Sequence, residues 1–374
     1  MSACEAPRIR KPNEGRISLA QVRIASFFTL LTLGLSAAVL HYPDSISYAS
    51  EQSPAKVERL DPAASDIIPD GATLQKLATG YTWTEGPIWI HDGYLLFADI
   101  PSNSIHKLIP AGTVSLFLQP SGYKGSAEFR GHEPGSNGMT LDARGRLTIA
   151  GHGQRDVYRI ERLSDPGNVT ILADAYEGKR LNSPNDLVYK SDGSLYFTDP
   201  PYGLPTQKDD DPEKELKVNG VYRLAAASEQ KPGSLPQKAK LQLLVKDLPR
   251  PNGIVFSPDE KYLYVSNSEP EKIWMRYRVK ADGTLADGEV FFDATSDPRK
   301  GNPDGIKVDQ AGNLYGAGPG GVWIFSPAGR HIATILVPEL VANLNWGGID
   351  GKSLFIAASS SVYRIDLKIP GVRP

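Results

Sequence analysis

From Gly71 onward, short apolar runs rich in β-formers alternate with Gly, Asn, Asp and Pro, and no apolar stripe of helical period reaches useful length. Superposing the runs exposes a repeat. EGPIWIHDGYLLFAD begins at Glu85, NGMTLDARGRLTIAG at Asn137, NDLVYKSDGSLYFTD at Asn185, NGIVFSPDEKYLYVSN at Asn252 and DGIKVDQAGNLYGAG at Asp304. A leucine falls ten residues after the first position in four of these (Leu95, Leu147, Leu195, Leu314), and eleven after it in the Asn252 copy (Leu263), whose turn SPDEK is longer. A shorter sixth copy, WGGIDGKSLFIAA, lies near Trp346 to Ala358. Each unit reads as strand, tight turn, strand, with hairpin turns such as His91-Asp92-Gly93 and Ser191-Asp192-Gly193. A third run follows in most units (SIHKLIP, DVYRIER, GVYRLAA, MRYRVKA, GVWIFSP, SVYRIDL), and often a fourth. Four strands repeated six times, at a period of about 40–65 residues, predict an all-β protein, a six-bladed β-propeller with four-stranded blades over residues 72–374. The segment TLQKLATG (Thr73–Gly80) has no hairpin partner beside it and is expected to be the outer strand that completes the last blade. Long loops are expected between Gln119 and Ser136 and between Gly203 and Gly220.

The repeat also locates chemistry. Its first positions sit where each innermost strand begins, so in a closed ring they converge on the axis. They hold Glu85, Asn137, Asn185, Asn252 and Asp304. Asn-Gly and Asp-Gly pairs are ordinary turn signals, which accounts for any one of them. It accounts poorly for Glu85 and for side-chain oxygens at five of six positions. A cation site at the axis explains the set. Oxygen donors without His or Cys favour Ca²⁺, with Mg²⁺, Mn²⁺ or the less suited tetrahedral Zn²⁺ as alternatives. The second strand of each unit returns to the same face, ending at Asp99, Gly151-His152, Asp199 and Asn267. The loops that follow, among them Asp199–Gly203 with Tyr202, are expected to wall a pocket over the ion. His152 and Asp199 are thereby candidate substrate-contacting groups, His152 also for proton transfer.

Other features narrow the classes. Lys+Arg 41 against Asp+Glu 43 leaves a net charge of −2, without the basic footprint of a nucleic-acid binder. The single cysteine, Cys4, excludes a disulfide scaffold, a Cys-based zinc site and an iron–sulfur cluster. There is no Gly-x-Ser-x-Gly element. At the N-terminus, Arg8, Arg10, Lys11, Arg16 and Arg23 precede an uncharged run of 17 residues, Ile24–Leu40, and then Ser47-Tyr48-Ala49. Residues 1–49 therefore read as a secretory signal peptide cleaved after Ala49, or as an uncleaved membrane anchor. Either places the remainder in the periplasm or outside the cell. Residues 50–71, rich in Pro, Ala, Ser and Asp, are expected to be a linker.

The stretches TEGPIW, GSNGMTLD, RLNSPNDLVYKSDGSLYFTDPPYG, PNGIVFSPDEKYLYVSN and NPDGIKVDQAGNLY run in order from Thr84 to Tyr315, within a resemblance that spans about Thr84 to Leu367. Through them the chain resembles the senescence-marker-protein/gluconolactonase/luciferin-regenerating-enzyme family. GVYRL, GGVWIF and EGKRLNSPNDL bring it closest to the bacterial gluconolactonases. The resemblance implies a propeller that holds a divalent cation in its channel and hydrolyses a small sugar lactone. It carries the metal ligands onto Glu85, Asn185, Asn252 and Asp304, gives Asp304 the role of base or water activator, and places Asn137 and Arg180 near substrate. The sixth unit, with NLNWGG, supplies no acidic residue at the ring position. Two other readings stay open: a non-catalytic Ca²⁺-stabilised binding module, and a paraoxonase-like aryl-ester or phosphotriester hydrolase, which would call for an apolar pocket.

Overall fold

The computed structural model describes residues 46–47, 51–109, 112–226 and 241–373. Six antiparallel sheets of four or five strands follow one another along the chain, as the repeat predicts, with a separate two-stranded hairpin between the second and third. The first blade is typical: Thr84–Ile90, Tyr94–Asp99, Ser104–Leu108 and Thr113–Leu118, each paired with the next. The other innermost strands are Met139–Leu141, Leu187–Tyr189, Pro251–Phe256, Ile306–Val308 and Val341–Gly347. Each blade is apolar on both faces, because each packs on a neighbour at both sides. Ile88, Leu96, Ile149 and Tyr158, for instance, interleave between the first and second blades, all at 0–1% exposure. Among the described residues no helix is long and apolar enough to cross a membrane.

The ring closes as expected. Thr73–Thr79 lies antiparallel to Ser361–Asp366, with Thr79 opposite Ser361 and Gln75 opposite Arg364.

The expectation of a linker over residues 50–71 is corrected. Glu51–Pro54 pairs with Thr73–Thr79 as a fifth strand of the last blade, and Lys56–Arg59 pairs with His331–Leu336 as a fifth strand of the blade before it. A short helix, Ala64–Ile67, then seats Ala64, Ile67 and Ile68 in the core at 2% exposure or less. Composition misled because an edge strand needs only backbone N–H and C=O groups, and Pro54 sits at a strand end on an outer edge, where a missing N–H is tolerated. Ile46–Ser47 also runs antiparallel along Thr113–Leu118. The basic and apolar segments up to Leu40, and Tyr48-Ala49, lie outside the described residues.

A second correction concerns the ends of the return strands. Asp199 is fully buried; its Oδ2 accepts the Asn182 N–H and its Oδ1 the Ser183 N–H, both at 2.8 Å. Asp99 Oδ1 accepts from Trp83 N at 2.9 Å, and Asn267 Oδ1 from Arg250 N at 2.8 Å. The last residue of each of these strands faces the turn leading into its own blade, and there the chain has N–H groups with no ladder partner. Asp199 thus staples its own blade and has both oxygens committed, which removes it as a substrate contact.

Two outcomes are expected. A chain beginning at Gly71 loses the burial of Ile67 and Ile68, at about 1.5–3 kcal/mol each. Denaturant unfolding should place it at least about 3 kcal/mol below a chain beginning at Ser50; equal stability would make the segment an appendage. Asp199→Ala strands two buried N–H groups at about 1–3 kcal/mol each. A shifted unfolding midpoint is expected, and an unshifted midpoint with weakened ligand binding would return Asp199 to the pocket.

Candidate active site

The site is built where the innermost strands begin. There each chain still pairs with its own blade: Asn137 N donates to Ala150 O and Asn185 N to Thr198 O, both at 2.9 Å. The next N–H turns to the neighbouring blade. Gly138 N donates to Asn185 O and Gly305 N to Ala342 O, both at 2.8 Å. The ladder is irregular at this level, with register shifts between Glu85 and Ile88 and between Pro251 and Ile254. Neighbouring backbones approach so closely that a Cβ on Gly86 would lie 2.2 Å from Asn137 O, and one on Gly253 2.3 Å from Asp304 O. At Gly86 and Gly253 the glycine after the ring residue is therefore a condition of blade contact, beyond its use as a turn signal.

The side chains form a linked set. Asn137 Nδ2 donates to Asn185 Oδ1 at 2.8 Å, Asn185 Nδ2 to Asn252 Oδ1 at 2.6 Å, and Asn252 Nδ2 to Ser268 Oγ at 3.1 Å. Glu85 Oε2 accepts from Gly86 N at 2.8 Å and from Asn343 Nδ2 at 3.0 Å. Glu85, Asn137, Asn185 and Asn252 are buried. Asn137 Oδ1 and Asp304 Oδ1 are buried without a hydrogen-bond partner. Ala342 takes the backbone position of the sixth ring residue, so the expectation of no acid there agrees with the geometry. Asn343, one residue on, holds the place that glycine takes in four other units and enters the site through Glu85.

Charge is poorly balanced in this dry space. Burial pushes the Glu85 carboxyl up to about 7 against the opposing bonds from Gly86 and Asn343. Burial, then the charge of Glu85, then those of Asp186 and Glu133, hold Asp304 well above the usual carboxylate range. The Lys307 ammonium lies 3.5 Å from Asp186 Oδ2. Two crowded carboxylates, orphaned oxygens on Asn137 and Asp304, and amide oxygens with a free second lone pair form a donor set suited to a hard divalent cation. The Asn share explains why, among the described residues, no group of three or more His, Cys, Asp or Glu side chains stands as a metal cluster.

Above the ring the loops contribute Tyr202, Ser268, His152, Glu133 and Gln207. Tyr202 bonds Ser268 through its side chain and feels the charge of Asp304, while burial raises its phenol. His152 is fully buried beside the ring, with Nδ1 3.1 Å from Pro184 O. Its Nε2 lies 2.7 Å from Glu133 Oε2. Arg180 sits on an exposed hairpin, its N bonded to Glu215 Oε2 at 2.8 Å and its Nη2 to Gln154 O at 3.3 Å, and none of these partners is a ring residue. Glu133 was not legible, because it lies in the 119–136 insertion where no repeat register applies. Ser268 lies in the expected loop wall. A cavity of about 960 Å³ opens at the other end of the strands, among hairpin turns such as Ala143, Asp192 and Pro258. Its charged lining is largely self-paired, as in Arg146 with Asp142 and Lys190 with Glu260.

Comparison with known proteins agrees with the fold. A gluconolactonase of Zymomonas mobilis is 36% identical over 331 residues, 84% of this chain and 87% of that protein. The structure of a gluconolactonase from Xanthomonas campestris superposes with a TM-score of 0.71 at 30% identity, covering 86% of this chain and 99% of that one. A calcium-binding protein, regucalcin, from Agrobacterium tumefaciens shares the fold with a TM-score of 0.62 at 21% identity, covering 80% and 95%. The family described as SMP-30/Gluconolactonase/LRE-like region matches residues 83–360. With that span matched, and with relatives aligned along nearly their whole length, the chain belongs to the SMP-30/gluconolactonase/LRE-like family.

Proposed function

We propose that the protein is a hydrolase that opens sugar lactones at the axial ring, with Glu85, Asn185, Asn252 and Asp304 holding a divalent cation and Asp304 acting as base. One observation carries the reading: Asp304 Oδ1 is buried, unpartnered and crowded by the Glu85 charge, beside a hydrogen-bonded row of Asn side chains. The gluconolactonase relative, aligned over most of both chains, supports the reaction class. A divalent cation bound there, Ca²⁺ by its all-oxygen donors, supplies Lewis-acid polarisation of the lactone carbonyl.

The protein's own groups supply the rest. Asp304, kept ionised by the cation's charge, accepts a proton from the attacking water. Asn185 and Asn252 donate oxygen without adding negative charge. Asn137, whose Oδ1 has no partner, and the Tyr202 hydroxyl would take substrate hydroxyls. A mouth built of Glu133, His152, Tyr202, Gln207 and Ser268 suits a polyhydroxylated ring better than an aryl ester. Arg180 would join them by reaching in from its hairpin.

The test is hydrolysis of glucono-1,5-lactone by wild type and Asp304→Asn, each stripped with chelator and reloaded with Ca²⁺. Wild type should lose activity on stripping and regain it on reloading. Asp304→Asn should stay folded and lose at least about 100-fold in kcat, the scale of a lost general base. Full activity of the variant would free Asp304 of the role, and full activity of stripped wild type would remove the cation.

The basic segment followed by Ile24–Leu40 supports work outside the cytoplasm. N-terminal sequencing of native protein is expected to begin near Ser50. An intact Met1 in the membrane fraction would mean an anchored enzyme, and in the cytosol it would overturn the location.

A further inference from the structure

The innermost strands carry a second tier of residues beyond the axial ring. Three positions after Asn137, Asn185, Asn252, Asp304 and the ring-level Ala342 stand Thr140, Val188, Val255, Lys307 and Asn345. At about 3.3 Å per residue, this tier lies about 10 Å along the strands from the ring. All five residues, from five different blades, line the cavity of about 960 Å³ that opens among the hairpin turns. A space of that size takes a small organic ligand.

Near the turns the polar lining is used up, Arg146 by Asp142 at 2.7 Å and Lys190 by Glu260 at 3.1 Å. Two groups on the tier are not. Asn345 is 1% exposed, and its Oδ1 accepts from Trp346 N at 2.8 Å. That bond fixes which end of the amide is which, and Nδ2 is left buried without a partner. Lys307 Nζ donates to Ile306 O at 2.9 Å and stands 3.5 Å from Asp186 Oδ2, so one of its three hydrogens is uncommitted. The two residues lie on adjacent blades: Gly305 N bonds Ala342 O at 2.8 Å, and Lys307 and Asn345 follow two and three residues on.

The acceptors at this level are spent. Asn345 Oδ1 serves Trp346 N, Asp186 Oδ1 serves Leu187 N at 2.8 Å, and Asp186 Oδ2 faces Lys307. The tier therefore offers N–H and asks for an acceptor. A purely structural amide would bond within its own surroundings, as Asn182 Nδ2 does to Asp199 O and Val218 O, both at 2.9 Å. The walls beside the donors are apolar, with Leu141, Leu187, Ile254 and Phe256 lining the same space. A sugar or sugar acid would leave its hydroxyls unpaired against them.

We propose that the hairpin end of the channel binds an organic carboxylate with an apolar body, a medium-chain fatty acid in its simplest form. One carboxylate oxygen takes Lys307 Nζ and the other Asn345 Nδ2, with the chain laid along Leu141, Val188 and Val255. The bond from the ammonium is charge-assisted, and burial of the chain supplies the rest of the affinity. The site is separate from the axial ring, so the proposal holds whether or not the lactonase reading does.

The experiment is isothermal titration of the full chain with decanoate, kept below its micelle concentration, and with decanol. Decanoate is expected to bind at one per chain, and decanol at least about 10-fold more weakly, the scale of one hydrogen bond to a charged group. Lys307→Met should weaken decanoate by about 10-fold or more and leave decanol little changed. Asn345→Asp keeps an oxygen for Trp346 N and puts a second oxygen where the unpaired N–H was, so it should weaken decanoate at least as much. Thermal unfolding checks that each variant is folded. Lys307→Met leaves Asp186 without its ammonium, and should it fail to fold, Asn345→Asp decides. Asp304→Asn should bind decanoate as wild type does. No decanoate binding by wild type, equal binding of decanol, or full decanoate affinity in folded Asn345→Asp overturns the proposal. Loss of binding in Asp304→Asn also overturns it, by moving the carboxylate to the axial ring.

Discussion

Six innermost strands must reach one axis, and at that axis their backbones come closer than side chains permit. The approach of Gly253 to Asp304 O and of Gly86 to Asn137 O sets the terms for everything nearby. In four of the six units glycine follows the ring residue, and at Gly86 and Gly253 a Cβ would collide with the neighbouring backbone; Asp186 and Asn343 hold that place in the other two. The backbone turns its next N–H to that blade, as Gly138 does to Asn185 O, and the ring side chains are left in a space with little water. Oxygen-bearing side chains there cannot be satisfied by the sheet, so they bond to one another or wait for a ligand.

That geometry creates the electrostatic problem from which the chemistry follows. Glu85 and Asp304 are raised by burial, and the Glu85 charge raises Asp304 further. The nearby ammonium of Lys307 is directed to Asp186. In the proposed reading a divalent cation would balance the two charges, with Asn185 and Asn252 supplying oxygen without adding more. Second contacts then hold the parts in place: Asn343 on Glu85, Ser268 on Asn252, and Ser266 Oγ on the Asp304 carbonyl at 2.7 Å.

The loops add what the symmetric scaffold lacks. Six equivalent strands supply ring positions of similar kind, and the loops supply groups of other kinds. Tyr202 and Glu133 come from loops outside the repeated strands, and Gln207 joins those two loops. The stapling carboxyls show the opposite case: Asp99 and Asp199 are catalytic in residue type, but each is consumed by its own blade's turn.

The sequence by itself determined the blade count, the closing strand Thr73–Thr79 and the ring residues Glu85, Asn137, Asn185, Asn252 and Asp304. Each follows from a local backbone geometry that recurs at fixed spacing, so a repeated residue pattern reports it directly. Tertiary structure alone decided the remainder. Residues 51–59 became edge strands because pairing uses backbone groups that composition does not register. Asp199 was withdrawn from the pocket because its fate depends on which N–H groups the preceding turn leaves unpaired. Asn343 reached Glu85 across the junction of the last and first blades, and Glu133 reached His152 from an insertion with no register. Contacts of that kind join segments whose separation along the chain carries no periodic signal, so only the closed fold brings them together.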